Sequence, residues 1–248
     1  MKILVCISHV PDTTSKINFT NNNASFDTSG VQFIINPYDE FGLTRALWIK
    51  EKQGGSVTVA TVGTNLTEPT IRKALAIGAD DAIRIDAEAT DAFFVAKQLA
   101  ALVQENAYDM VICGQESIDY NGGQVPGMLA ALLNWPFVNS CTSLELNGTT
   151  ATVTREIDGR KETSTAALPI VIGGKKGLVE EKDLRIPNMR GIMTARTKPL
   201  TVRAAVDATK HTHVLRFDKP AAKAAVKLID KENVAELVRL LHEEAKVI

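Results

Sequence analysis

From Lys2 to Leu133 the sequence alternates short apolar runs with stretches of helical spacing, and that alternation excludes most folds. Lys2 to Ile7 reads as a buried strand, and "SVTVATV" (Ser56 to Val62) as a β-branched one. Between them, Pro37 to Gln53 places Phe41, Leu43, Ala46, Leu47 and Ile49 at approximate helical spacing. Thr67 is expected to cap a helix that runs through "IRKALAI" and stops at Gly78. Ala82 to Ile85 is a short strand, and Asp91 opens the helix "DAFFVAKQLAALVQEN". Met110 to Cys113 is the next strand, and Gln124 to Leu133 the next helix. Regular alternation of this kind predicts an α/β fold whose parallel sheet is covered on both faces.

After Trp135-Pro136 the pattern changes. Asn147-Gly148 and Asp158-Gly159 stand between β-rich runs and are strong hairpin signals. They predict an antiparallel meander added to the parallel sheet and ending in the apolar run Leu168 to Ile172. Gly173 to Leu200 shows little periodicity but much Arg, Lys and Gly, and reads as a long surface loop. Beyond Pro220 a terminal helix is expected, capped near Asp230 or Asn233. Its apolar stripe is Val234, Leu237, Leu240 and Leu241, free to pack on this chain or on another.

The 248 residues carry a net charge of −1 and 45% hydrophobic content, enough for one large core or a core with an appendage. Balanced charge points to neither nucleic acid nor an anionic membrane surface as a partner. No apolar run is long enough to cross a bilayer, so membrane insertion is not expected. "MKILVCISHV" lacks the h-region and cleavage site of a signal peptide and reads as a first strand. Cys6, Cys113 and Cys141 are far apart with no CxxC pair, which points to a reducing cytoplasm. Cys6 and Cys113 lie in apolar strands, where a small buried hydrophobe is the expected role.

In open parallel sheets ligands bind outside the carboxyl ends of the strands. Three loops suit that edge: "SHVPDTTSK" (Ser8 to Lys16), "VGTNLTEP" (Val62 to Pro69) and "GQESIDYNGGQV" (Gly114 to Val125). In the last, a Gly-rich turn feeds a helix, which offers free N–H groups and a positive helix end to a phosphate. Gly122, Gly123 and Gln124 stand at that end. Asp119 is placed either to accept from a ribose hydroxyl or to cap the turn. "INPYDE" (Ile35 to Glu40) can supply backbone contacts to a base. The GxGxxG fingerprint does not follow the first strand and no GxxxxGK[ST] loop is present, which disfavours an ordinary NAD fold and a P-loop ATPase. His211 and His213 form HxH with no nearby Cys or third His and read as exposed histidines. "GGKKG" (Gly173 to Gly177) reads as a basic turn. Arg185, Arg190, Arg196 and Lys198 are placed to steer an acidic partner. No residue stands out as a committed general acid or base, and no GxSxG elbow is present, which favours a binder or electron carrier over a hydrolase.

Five segments together resemble one family over nearly the whole chain. They are "VPDT", "NPYDEFGLTRALWIKE", "IRKALAIGADDAIRI", "GQESIDYNGGQVPGMLAALLNWP" and "VTREIDGRKETSTAALPIVIGG". The chain resembles the beta (small) subunits of electron transfer flavoproteins. In the last segment Arg155, Asp158, Gly159, Glu162 and Pro169 match the family signature, while Arg160, Ser164 and Gly173 depart from its usual choices.

The resemblance implies a Rossmann-like parallel sheet of the adenine-nucleotide α-hydrolase type. Residues 1–200 would form the nucleotide-binding domain, with the meander and a partner-recognition loop. Residues 201–248 would form a C-terminal arm packing on an alpha subunit. It implies a heterodimer in which the alpha subunit holds most of the contacts to FAD near the interface. That flavin takes electrons from dehydrogenases, such as acyl-CoA dehydrogenases, and passes them to a downstream acceptor. The beta subunit itself binds AMP or, in electron-bifurcating members that oxidise NADH, a second FAD. Carried over by position, the nucleotide site comprises Cys6, Asn36, Pro37, Tyr38, Asp39, Val62, Gly114, Ser117, Ile118, Asp119, Asn121, Gly122, Gly123, Gln124 and Val125. The recognition loop for dehydrogenases matches Arg185, Ile186, Pro187, Asn188, Met189, Arg190, Gly191, Ile192 and Met193, with Met189 at an apolar anchor position that is usually Leu. Thr13 stands where some members place an aromatic residue on the flavin. AMP-type members tend to carry a run like "DDDxNQTGQ" and bifurcating ones "DGDTAQVGP". Here "DYNGGQVPG" matches the second at Gln124 and Val125 and departs from it at Tyr120. The sheet would also suit a universal-stress-type nucleotide sensor, which needs neither meander nor basic loop. An adenylating synthetase would need an SGGxDS-like loop, which "SHVPDT" is not.

Overall fold

The computed structural model describes residues 1–223 and 225–248. Ala224, within the expected arm, lies outside the described residues. The chain opens with β1 (Lys2–Cys6), β2 (His9–Pro11), β3 (Phe19–Thr20), β4 (Ser25–Phe26), β5 (Phe33–Ile35) and α1 (Pro37–Gln53). Pro37 is the first helical residue of α1, where its fixed φ suits the turn and its missing N–H is not needed. There follow β6 (Ser56–Val62), α2 (Glu68–Ile77), β7 (Asp81–Asp86), α3 (Ala92–Glu105), β8 (Met110–Gly114) and α4 (Val125–Leu133). The second half holds β9 (Phe137–Asn147), β10 (Thr150–Ile157), β11 (Arg160–Ala167), β12 (Ile170–Gly174), α5 (Met189–Ala195), β13 (Leu200–Ala204) and α6 (Val234–Arg239).

Nine strands form one sheet in the order β11-β10-β9-β12-β8-β1-β6-β7-β13. Side chains alternate across it as the pleat requires. Ile3, Val5, Met110 and Ile112 join the apolar cluster that includes Leu43 and Leu47 of α1 and Ile71 and Leu75 of α2. Leu4, Cys6, Val111 and Cys113 join the opposite cluster, with Leu99 of α3 and Leu129 of α4. The sheet is thus covered on both faces, as the alternation predicts. No described helix is long and apolar enough to cross a membrane.

Four expectations need correction. The run Leu168 to Ile172 does not end the meander. Its strand, β12, lies between β8 and β9 and is parallel to both, so the antiparallel meander is β9, β10 and β11 alone. All five β12 residues are buried, which is how an interior parallel strand reads. The expected loop over Gly173 to Leu200 contains α5, whose Asn188 Oδ1 accepts from the Gly191 N–H at 2.7 Å. Thr67 stands at the N-cap position of α2, and the helix stops at Gly78 as expected, but the Thr67 side chain makes no capping bond. Its hydroxyl donates to the Thr64 carbonyl at 2.8 Å within a tight turn. The sheet also runs past the expected boundary at residue 200, because β13 pairs with β7.

Other expectations hold. Ile157 pairs with Arg160, and Asp158 and Gly159 make the two-residue hairpin loop with φ of 49° and 76°, the left-handed pair such a turn requires. Asp91 caps α3, with Oδ1 accepting from the Phe94 N–H at 2.7 Å. Its Oδ2 accepts from the Thr212 hydroxyl at 2.7 Å and the Thr212 N–H at 2.8 Å, tying the C-terminal segment to this helix. Those hydrogen bonds, led by the Thr212 hydroxyl, hold the Asp91 carboxyl down to about 2. Asn233 caps α6, and beyond it Leu240 is buried while Val234 and Leu237 stay exposed.

Candidate functional site

The chain runs from β1 to β6 and β7 on one side, then returns to set β8 and β12 on the other side of β1. The strand order therefore reverses between β1 and β8. Loops leaving two such strands diverge and open a crevice, the common ligand site of open α/β sheets. Cys6 ends β1, Val62 ends β6 and Gly114 ends β8. Parallel register brings these buried residues to one edge. Contact with Cys6 and burial push the Cys113 thiol well up, which disfavours its thiolate.

Two buried side chains tie that edge together. Asp39 Oδ2 accepts from the Ser8 N–H at 2.7 Å, and Oδ1 from the Gly114 N–H at 2.8 Å. One carboxyl group thus joins the chain leaving β1 to the chain leaving β8. Asn36 Nδ2 donates to the Glu116 carbonyl at 2.8 Å, and Oδ1 accepts from the Ile118 N–H at 3.3 Å. The Asn36 N–H donates to the Ser8 carbonyl at 3.0 Å. Both side chains stand at the start of α1, whose dipole favours an anion there. Burial pushes the Asp39 carboxyl up to about 7, against the hydrogen bonds from Ser8, Asn36 and Gly114. Pro37 and Tyr38 carry the chain between these anchors. The fit leaves no room for a side chain at Gly114, where a Cβ would stand 2.4 Å from Asp39 Oδ1 and 2.7 Å from Tyr38 Cβ.

The loop beyond is held by its own hydrogen bonds. Ser117 and Gly122 exchange two backbone bonds of 3.1 Å. Asp119 Oδ1 accepts from the Ser117 hydroxyl at 2.5 Å and the Tyr120 N–H at 2.9 Å, which is the turn-capping role. The left-handed residue is Asn121, with φ of 50°. Neither Gly122 nor Gly123 has a left-handed φ, and a Cβ at Gly122 would meet nothing within 4 Å. Asn121 therefore makes the turn and the glycine pair does not, while a Cβ at Gly123 would stand 3.2 Å from the Gln115 carbonyl oxygen. Among the described residues the N–H groups of Gly123, Gln124 and Val125 have no protein acceptor, and all three stand where α4 begins. Free N–H groups at a helix start attract an anion.

Ser8 and Glu116 lie in two of the loops singled out from the sequence, but their individual roles could not be read there because they contribute backbone atoms, which every residue has. Arg84 left a signal, a lone arginine in the run "AIRI". It is buried in β7, donates to the Gly63 carbonyl at 3.0 Å and pairs with Asp86 at 2.5 Å, bracing the loop after β6.

The segment Arg185 to Met193 lies elsewhere, against α1 and α2. The Arg185 N–H donates to Thr44 Oγ1 at 3.2 Å. Ile186, Met189 and Met193 are mostly exposed, at 79%, 76% and 69%. A cavity of about 430 Å³ between α1 and β9 is lined by Arg45, Trp48 and Leu144 and by none of the residues that tie the crevice together.

Residues 24–208 match the family described as electron transfer flavoprotein domain. The electron transfer flavoprotein subunit beta of Bacillus subtilis (strain 168) is 35% identical, with 100% of each chain covered. That of Syntrophomonas wolfei subsp. wolfei is also 35% identical, over 94% of this chain and 92% of its own. That of Mus musculus is 32% identical, over 100% of this chain and 99% of its own.

Proposed function

The chain belongs to the electron transfer flavoprotein family, as a beta subunit in electron transfer, and from that membership we propose how it does this work. It pairs with an alpha subunit that holds FAD near their interface. The complex takes electrons from flavin dehydrogenases of the acyl-CoA type and passes them to a downstream acceptor. The flavin, when bound, supplies the electron chemistry. This chain's residues bind, position and shield.

The crevice between β1 and β8 takes an adenine nucleotide, AMP or a second FAD. The observation that carries this is the run of free N–H groups at Gly123, Gln124 and Val125, beside a glycine that its own fold does not demand. Phosphate accepts from those N–H groups, and Asn36 and Asp39 hold the crevice walls in register. Val125 favours the second FAD through its match to bifurcating members, whereas Gln124 is common to both runs. Tyr120, exposed on the same loop, departs from the bifurcating run, which has Gly there. The segment Arg185 to Met193 docks the dehydrogenase through Met189. The arm beyond β13, with Val214, Leu215, Val226 and Leu228 exposed, packs on the alpha subunit. Three free thiols suit a reducing cytoplasm.

Gly122→Val separates ligand approach from folding. Space is open at that Cβ, so stability should stay within about 0.5 kcal/mol of wild type, as for ordinary surface changes. Nucleotide released on denaturation should fall well below one per chain. Full occupancy in a folded variant would count against the loop as the phosphate site.

A further inference from the structure

The helix α5 rests on α2 through reciprocal caps. Arg72, on α2, sends Nη1 to the carbonyls of Ala195 and Lys198, both at 2.8 Å. Ala195 is the last residue of α5. Lys198 returns the contact. Its Nζ donates to the carbonyls of Leu75 at 2.9 Å and Ala79 at 2.6 Å, at the end of α2. Helix ends leave carbonyls unpaired and partly negative, so a cation from the other element meets both needs. Gly191 lets the backbones close, since a Cβ there would stand 2.3 Å from the Ala76 carbonyl oxygen. On the far side Arg185 reaches Glu51 at 2.7 Å, but that pair is exposed at both partners and adds little.

We infer that Arg72 and Lys198 are positioning residues that hold α5 in place, so that Ile186, Met189 and Met193 face a partner dehydrogenase before contact. This rests on the docking role proposed for Arg185 to Met193. A helix as short as α5 is not stable alone in water. Ordering it in advance removes that cost from the docking step.

The test uses the whole heterodimer with an acyl-CoA-type dehydrogenase as donor. Readouts are KM, kcat, flavin and nucleotide content, and hydrogen exchange at the amides of residues 191–195. Arg72→Gln should raise KM about tenfold, because cutting the competent population to about a tenth raises an apparent dissociation constant about tenfold. It should leave kcat and cofactor content unchanged and speed exchange at those amides. Arg72→Lys should restore most of the KM, since one nitrogen makes both bonds. Lys198→Met opens the same clasp from the other side and should raise KM likewise. Met189→Ala should raise KM and leave exchange slow. A raised KM in Met189→Ala, with wild-type KM in both Arg72→Gln and Lys198→Met, overturns the positioning role and leaves docking standing. Wild-type KM in all three removes the docking role and the positioning role with it.

Discussion

Gly114→Ala is expected to destabilise the folded chain by about 3 kcal/mol, the upper part of the usual cost of overpacking a core, and to lower bound nucleotide. The atoms in the way have nowhere to go. Asp39 Oδ1, 2.4 Å from the new Cβ, is held by the Gly114 N–H itself. Tyr38 Cβ, at 2.7 Å, is fixed by the backbone of α1. Asn36 Nδ2, at 3.0 Å, is committed to the Glu116 carbonyl. Backing α1 away would open its packing on β8, where it approaches so closely that a Cβ at Gly42 would stand 2.8 Å from Ile112 Cγ2. The strain therefore falls on the tie between the two strand ends. Urea unfolding gives the stability, and chromatography of released nucleotide gives the occupancy. An unchanged midpoint with full occupancy would show that the crevice does not depend on this close approach.

Asp39→Asn should cost about 2 kcal/mol at mildly acidic pH, mid-range for a buried donor left without its acceptor. The amide keeps the shape but turns a donor toward either the Ser8 or the Gly114 N–H. The loss also has a pH signature. The folded carboxyl titrates at about 7, raised from 3.8 by burial. Between those values the folded chain binds more protons than the unfolded chain. The carboxyl's contribution is therefore full below about pH 4 and is lost as pH rises through about 7. Asn does not titrate, so the stability gap between wild type and variant should narrow from about pH 5 to about pH 8. Urea midpoints at the two pH values measure this. A gap that widens with pH would mean that the Ser8 and Gly114 N–H groups hold Asp39 ionised and outweigh its burial.

The parallel half of the sheet was legible because each element is long enough to show its own period. Pro37–Gln53 and Ser56–Val62 have the ends that their residue patterns predict. Features that depend on neighbours were not legible. The apolar run before Gly173 looks the same whether it closes a meander or slots between two parallel strands, and only pairing with β8 decides it. The helix α5 spans too few residues to show a period against its basic surroundings. Thr67 has a hydroxyl that can accept at a cap or donate to a turn, and the chain uses the second. At the site, Asn36, Asp39 and Gly114 were singled out only through the resemblance, since "INPYDE" by itself suggested backbone contacts and not side chains that tie two strand ends, and Ser8 acts through its main chain. The glycine pair was read as a possible sharp turn because glycine serves turns and close approach alike. The φ of Asn121 assigns the turn to another residue, and the open space at the Gly122 Cβ position shows that packing does not require a glycine there.

Cofactor stoichiometry tests the central claim most directly. The chain is coexpressed with its alpha subunit, and the purified complex is denatured. FAD and AMP are then quantified by chromatography. The account predicts two adenine nucleotides per heterodimer: one FAD, and a second that is AMP in a single-flavin carrier or FAD in a bifurcating one. A single FAD with no further adenine nucleotide would contradict it, leaving the crevice between β1 and β8 without its ligand.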